Sequence, residues 1–175
     1  MLGQLRFQGL RYRLGLATSS ELRQVADSAL NAGLYSPSLL DAALDAEERL
    51  EEVGTAFEKA LNELSVTLPE SREGCCWEIL RHSIKQIASQ EVSPFTGLKE
   101  IIEVYYGCQD VIHSNYYVGD SYDIHYLIGA YWGCVELFER PQEVTYKELA
   151  SKEAILAFGV DVVGNCKSWL DKHDL

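Results

Sequence analysis

The chain has 175 residues, of which 47% are hydrophobic, and its 27 acidic and 15 basic side chains give a formal net charge of −12. This length and composition fit one globular domain with a sizeable core and argue against disorder. Because so acidic a surface repels phosphate groups, we expect neither nucleic acid nor a membrane surface as a partner.

The first seventeen residues alternate between apolar and polar positions on either side of Gly9, in "LRFQGLRYRLGL". A period of two is typical of a strand, so we predict a short strand or arm in residues 1–17. The segment holds Arg6, Arg11 and Arg13 and no acid. This composition leaves a targeting segment open as the alternative.

From Thr18 onward the apolar residues recur at helical spacing. Thr18 and Glu21 are placed as a capping box, Gly33 as a helix stop, and the prolines at 37 and 94 as first helical residues. Further helices are predicted over about 45–64, from 67–70 onward, over 122–140 and over 145–170, with Gly159 and Gly164 as candidate break points. We therefore predict an all-α, single-domain bundle of about six to seven helices.

Gly129 and Gly133 stand four residues apart in the predicted helix 122–140. Because glycine has no side chain, this spacing predicts that a second helix crosses closely at this point.

The five cysteines are an odd number and lack a repeated C-x-x-C spacing; they are Cys75, Cys76, Cys108, Cys134 and Cys166. This pattern fits neither a disulfide framework nor a zinc site. We expect buried, reduced thiols in a cytoplasmic protein.

Acidic residues cluster at the start of the predicted helix 45–64, just after Asp41. The cluster is Asp45, Glu47, Glu48, Glu51 and Glu52. It lies opposite the apolar stripe of that helix, and such a surface steers a basic partner towards it. A tyrosine-rich turn offers aromatic anchors for the same partner, namely Tyr116, Tyr117, Asp120 and Tyr122. A solvated acidic face that only keeps the protein soluble is the alternative.

The same tyrosine-rich region also suggests a small-molecule pocket with an aromatic wall and polar groups. The candidate ligand-binding residues are Asp110, His113, Asp123, His125 and Tyr126. Asp110 and His113 have the spacing of one Glu-x-x-His-type element, but a di-metal bundle needs two, so we expect no metal. The sequence contains neither a G-x-S-x-G elbow nor a glycine-rich phosphate loop, so we assign no catalytic residue and no cofactor.

The stretch "YRLGLATSSELRQVADSALNAG" and the acidic helical body after it resemble small bacterial helical proteins of unknown function. Some such proteins are immunity proteins, which neutralise a toxin. The resemblance implies a non-enzymatic binding protein and assigns no functional residue. A small-molecule binder or enzyme, and a self-associating structural subunit, are the other two functions that the sequence leaves open.

Overall fold

The structure, a computed structural model, describes residues 1–44, 49–112, 122–139 and 152–173. These residues contain eight α-helices and no strand, so the all-α prediction is confirmed. The helices are α1 (Leu2–Leu14), α2 (Ser19–Asn31), α3 (Pro37–Leu44), α4 (Leu50–Glu63), α5 (Arg72–Ala88), α6 (Pro94–Gly107), α7 (His125–Glu139) and α8 (Lys152–His173).

Contacts between residues divide the chain into two compact units, Met1–Ile79 and Leu80–Leu175. The boundary falls within α5. The first unit holds α1 to α4, and the second holds α6 to α8. The single domain over residues 1–175 stays a prediction.

The predicted N-terminal strand is wrong, because Leu2–Leu14 forms helix α1. The alternation places apolar residues at odd positions before Gly9 and at even positions after it. Both sets contribute buried residues, including Leu5 and Leu10, so the period of two does not mark one face of a strand. Gly15 ends the helix in the left-handed region (φ 76°), and the amides of Gly15 and Leu16 donate to the carbonyls of Tyr12 and Arg11. This is a Schellman ending, which needs a residue without a Cβ at that position.

Helix α1 packs against α4 at a site where α4 carries a glycine. A Cβ on Gly54 would overlap the end of the Tyr12 ring, so glycine at this position leaves room for the ring where it lies. An ion pair joins the same two helices, with Arg13 Nε 2.9 Å from Glu58 Oε1. The first unit closes around a core that includes Leu5, Leu22, Leu39, Val53, Phe57 and Leu61.

The helix starts predicted at Thr18 and at Pro94 are confirmed. The amide of Glu21 donates to Thr18 Oγ1 (3.2 Å), and the amide of Thr18 donates to Glu21 Oε2 (2.8 Å), which completes the capping box. Ser93 Oγ accepts the amide of Thr96 at the start of α6 (3.1 Å). The predicted starts at 45 and 67–70 are wrong, since α4 begins at Leu50 after extended backbone at Arg49 and α5 begins at Arg72.

In the second unit α6, α7 and α8 pack on one another. The close crossing predicted at Gly129 does not occur in the described part of the chain, where a Cβ built at this position meets nothing within 4 Å. At Gly133 a Cβ would make ordinary contact, at 3.5 Å, with the ring of Phe158. The candidate breaks at Gly159 and Gly164 do not occur, since α8 runs through both. The helix start predicted at 145 lies outside the described residues.

Candidate functional site

An acidic groove lies between α3 and α4 in the first unit. It encloses about 480 Å³ and is lined by Ser38, Asp41, Glu51, Glu52, Thr55, Ala56 and Lys59. We call this set the acidic groove. Three of its side chains are carboxylates and one, Lys59, is a cation.

The helical period places these carboxylates at the surface. On α3, Leu39 and Ala42 are buried while Asp41 is exposed. On α4, Val53 and Phe57 enter the core, so the preceding acids face outward. The groove therefore combines the outward faces of two helices that also share a core.

Glu63 fixes the position of α3 beside α4. Its carboxylate accepts hydrogen bonds from the amide of Ser38 (3.1 Å) and from Ser38 Oγ (2.8 Å), at the positive end of the α3 dipole. These hydrogen bonds, first that from the Ser38 hydroxyl and then one from Ser36, hold the pKa of Glu63 below its usual value. The backbone that carries Asp41 is thus tied to the end of α4.

The carboxylates of the groove differ in how far they are neutralised. Glu52 Oε1 lies 3.1 Å from Arg49 Nη1, but both side chains are more than half exposed, so this pair contributes little to stability. Within the described residues, the carboxylates of Asp41 and Glu51 accept no hydrogen bond and form no ion pair, and Lys59 is the one cation that lines the groove with them. Two negative charges are therefore available to an incoming cation.

The partner-binding residues predicted from the sequence fall into three groups. Glu51 and Glu52 lie in the acidic groove. Six others lie outside the described residues, namely Asp45, Glu47, Glu48, Tyr116, Tyr117 and Asp120. Tyr122 is only 5% exposed, so its predicted role as an exposed anchor is wrong.

A second, polar cavity lies in the second unit between the start of α7 and the last turns of α8. It encloses about 230 Å³ and is lined by Asp123, His125, Tyr126, Leu127, Asn165, Ser168, Trp169 and Lys172. Three of the five predicted ligand-binding residues, Asp123, His125 and Tyr126, are thus brought together. Asp110 is exposed beyond the end of α6, and His113 lies outside the described residues.

Asp123 is held in place by the end of α8. Its backbone is left-handed (φ 57°), and its Oδ2 lies 2.5 Å from Lys172 Nζ and 3.5 Å from His173 Nε2. The hydrogen bond from Lys172 holds the pKa of Asp123 below its usual value, with a smaller effect from His173 in the same direction. Because Lys172 lies 49 residues away in the sequence, sequence patterns gave no signal for this pair.

We expect Asp123→Asn to lower stability in a pH-dependent way. Asn tolerates the left-handed backbone, so the change removes mainly the charge. Since the folded pKa is below the unfolded value of about 3.9, the stabilisation is present above that value and is lost as the pH falls through the folded pKa. With the carboxylate about one third exposed, we expect a difference below about 1 kcal/mol at pH 7.

Urea unfolding of wild type and Asp123→Asn between pH 7 and pH 2 checks this expectation. Asp171→Asn, which removes an exposed acid on α8 next to Lys172, is the control for loss of one negative charge. A stability difference that stays constant over this pH range would show that the ion pair is not its source.

All five cysteines are buried and none is paired in a disulfide, so the predicted burial is confirmed and their reduced state stays a prediction. Burial raises the pKa of Cys134 to about 11 and that of Cys166 to about 12, so both remain protonated at neutral pH. Among the described residues, no three His, Cys, Asp or Glu side chains are grouped so that they could hold a metal ion.

No helix in the described part of the chain is long and apolar enough to cross a bilayer. Comparison of the whole chain with protein families, characterised proteins and solved structures gave no significant match.

Proposed function

We propose that the chain is a non-enzymatic binding protein that receives a basic partner in the acidic groove. The observation that carries this proposal is the pair of carboxylates of Asp41 and Glu51, which line one groove and make no ion pair among the described residues, although Lys59 lines the same groove. The specific function that we propose is neutralisation of a basic toxin, which the resemblance to immunity proteins implies.

Electrostatics supports the proposal in two ways. The net charge of −12 attracts a basic partner from a distance of about 10 Å at 0.1 M salt. The groove then provides a local contact, where lysine or arginine side chains of the partner meet Asp41 and Glu51. Such contacts act mainly on the association rate and on its dependence on salt.

The polar cavity near Asp123 supports a ligand-binding function less well. Lys172 already neutralises the Asp123 carboxylate, and about 230 Å³ is below the range of about 300–1,000 Å³ of most ligand pockets. The small-molecule reading of that cavity stays a prediction.

We expect the double variant Asp41→Asn/Glu51→Gln to bind the basic partner about tenfold more weakly at low salt, mainly through a slower association rate. Wild type and variant serve as paired baits in a native lysate, with proteins quantified by mass spectrometry after elution at rising salt. Surface plasmon resonance of the recovered protein then gives the association and dissociation rates at about 50 and about 300 mM salt, because electrostatic screening changes strongly between these concentrations.

The matched control is Glu136→Gln/Asp161→Asn, which removes the same two charges from exposed positions on α7 and α8. Equal weakening in both double variants would show that net charge, and not the acidic groove, governs binding. Binding that is independent of salt would contradict the proposal altogether. A chain that captures only further copies of itself would favour the self-associating subunit.

A further inference from the structure

A separate apolar cavity lies in the second unit, where α8 passes the start of α6 and the middle of α7. It encloses about 490 Å³. Its described lining consists of Gln90, Glu91, Val92, Ser93, Pro94, Phe95, Cys134, Leu156, Phe158, Gly159, Val160 and Val163. We call it the apolar cavity.

The spacing of residues on α8 builds one wall of this cavity. Leu156, Val160 and Val163 follow one another at intervals of four and three, which places them on one helix face. Leu156 is 65% exposed and Val160 69% exposed, whereas Val163 at the inner end is buried. This wall therefore runs from the surface into the interior, and the apolar side chains at its outer end are exposed to solvent.

Gly159 and aromatic residues border the cavity. A Cβ on Gly159 would make ordinary contact, at 3.9 Å, with Cγ of Pro94, so a small side chain fits here and a longer one would extend into the space between α8 and the start of α6. On the other side Phe95 stacks on Tyr131, with ring centroids 6.0 Å apart and planes inclined by 2°. The buried Cys134 also lines the space.

Charge at the rim indicates what kind of molecule fits. Glu91 is the single charged side chain among the described lining residues. Its Oε1 accepts a hydrogen bond from Ser89 Oγ (3.0 Å), and it has no cation partner in the described part of the chain. A carboxylate beside an open apolar wall attracts a positively charged head group and repels an anionic one.

We propose that the apolar cavity binds a small amphiphilic amine, whose aliphatic or aromatic body packs against Val160, Val163 and Phe95 while its ammonium group pairs with Glu91. The volume of about 490 Å³ lies within the range of about 300–1,000 Å³ of small-molecule sites. An apolar lining with a few polar groups at one end is the composition of such sites. This site is distinct from the acidic groove, and the proposal stands whether or not the basic partner binds there.

Decylammonium is the probe, measured by isothermal titration calorimetry below its micelle concentration. We expect one molecule to bind per chain, at least tenfold more tightly than decanoate, which has a comparable tail and the opposite charge. Butylammonium carries the same charge with a short tail, so we expect it to bind at least tenfold more weakly. Glu91→Gln should remove most of the preference for decylammonium over decanoate.

Gly159→Leu fills the cavity and should weaken decylammonium binding at least tenfold. Leucine has a higher helix propensity than glycine, so this change favours α8 rather than breaking it. The matched control is Gly164→Leu on the same helix, where a Cβ meets nothing within 4 Å and which does not line the cavity. Circular dichroism confirms that both variants are folded.

Cys134 gives a test that needs no variant. Saturating decylammonium should slow its modification by N-ethylmaleimide at least fivefold, while the rates at Cys75 and Cys76 in the first unit stay unchanged. Absence of binding, equal binding of decanoate, or equal weakening by Gly164→Leu would each overturn the proposal. A dimer that is seen by light scattering and is broken by Gly159→Leu would also overturn the proposal, because a second copy of the chain would then occupy this face.

Discussion

Replacement of Phe57 by alanine will lower the free energy of unfolding by about 3–5 kcal/mol, the range for a large aromatic side chain removed from a core. Phe57 is fully buried in the middle of α4, within the core of the first unit. The change removes the apolar contacts of the ring and leaves a cavity that the surrounding helices fill only in part. Urea unfolding followed by circular dichroism gives the difference.

Leu50→Ala on the same helix is the control for Phe57→Ala. Leu50 is 41% exposed, so we expect a loss below about 1.5 kcal/mol. Comparable losses in the two variants would show that Phe57 does not anchor the core.

The Phe57→Ala variant also tests the single domain predicted from length. Native-state hydrogen exchange reports on α4 in the first unit and on α7 in the second. A single cooperative domain requires amides in both helices to lose protection equally. A loss confined to the amides of Met1–Ile79 would show that the single-domain prediction is wrong.

The sequence predicted those features of the fold that are decided within a few residues. Thr18 and Glu21 reach each other's backbone across three positions, and Ser93 reaches Thr96 in the same way. Because these contacts span only three positions, the helix starts at Thr18 and Pro94 could be predicted from the sequence, whereas the same spacing at Thr67 and Glu70 does not mark the start of α5. The outward direction of Glu51 and Glu52 follows equally from the period of α4.

The error at the N-terminus shows where local patterns fail. The alternation in "LRFQGLRYRLGL" favours a strand, but the helix is fixed by partners far along the chain. Arg13 pairs with Glu58, and Tyr12 packs against Gly54, both on α4. A pattern confined to α1 contains no information about these contacts, so the packing of the first unit overrides the local preference.

The candidate sites also differ in how far local sequence patterns could predict them. Two carboxylates of the acidic groove could be assigned from helical spacing alone. The pairing of Asp123 with Lys172 could not, because 49 residues separate them, with α7 and most of α8 between. Gly159 was a candidate break in the sequence, whereas in the structure it is a helical residue that lines the apolar cavity together with Pro94 from another element.

Replacement of Trp169 by alanine will destabilise the second unit by about 3–5 kcal/mol. Trp169 is only 5% exposed, and its Nε1 donates a hydrogen bond to the carbonyl of Tyr122 (3.0 Å). Its ring also lies against His173, with centroids 4.5 Å apart. The side chain thus joins the last turns of α8 to the segment that precedes α7.

Two further substitutions separate the contributions of Trp169 to stability. Trp169→Phe keeps an aromatic ring and removes the hydrogen bond, so we expect a loss of about 1–2 kcal/mol, well below that of alanine. Trp132→Ala removes a tryptophan that is 45% exposed on α7, and we expect it to cost less than about half as much as Trp169→Ala. Guanidinium unfolding followed by circular dichroism measures all three without relying on tryptophan fluorescence. If Trp132→Ala were as destabilising as Trp169→Ala, burial of the Trp169 ring against the segment at Tyr122 would not be what stabilises this end of α8. The position of Asp123 beside Lys172 would then need another cause.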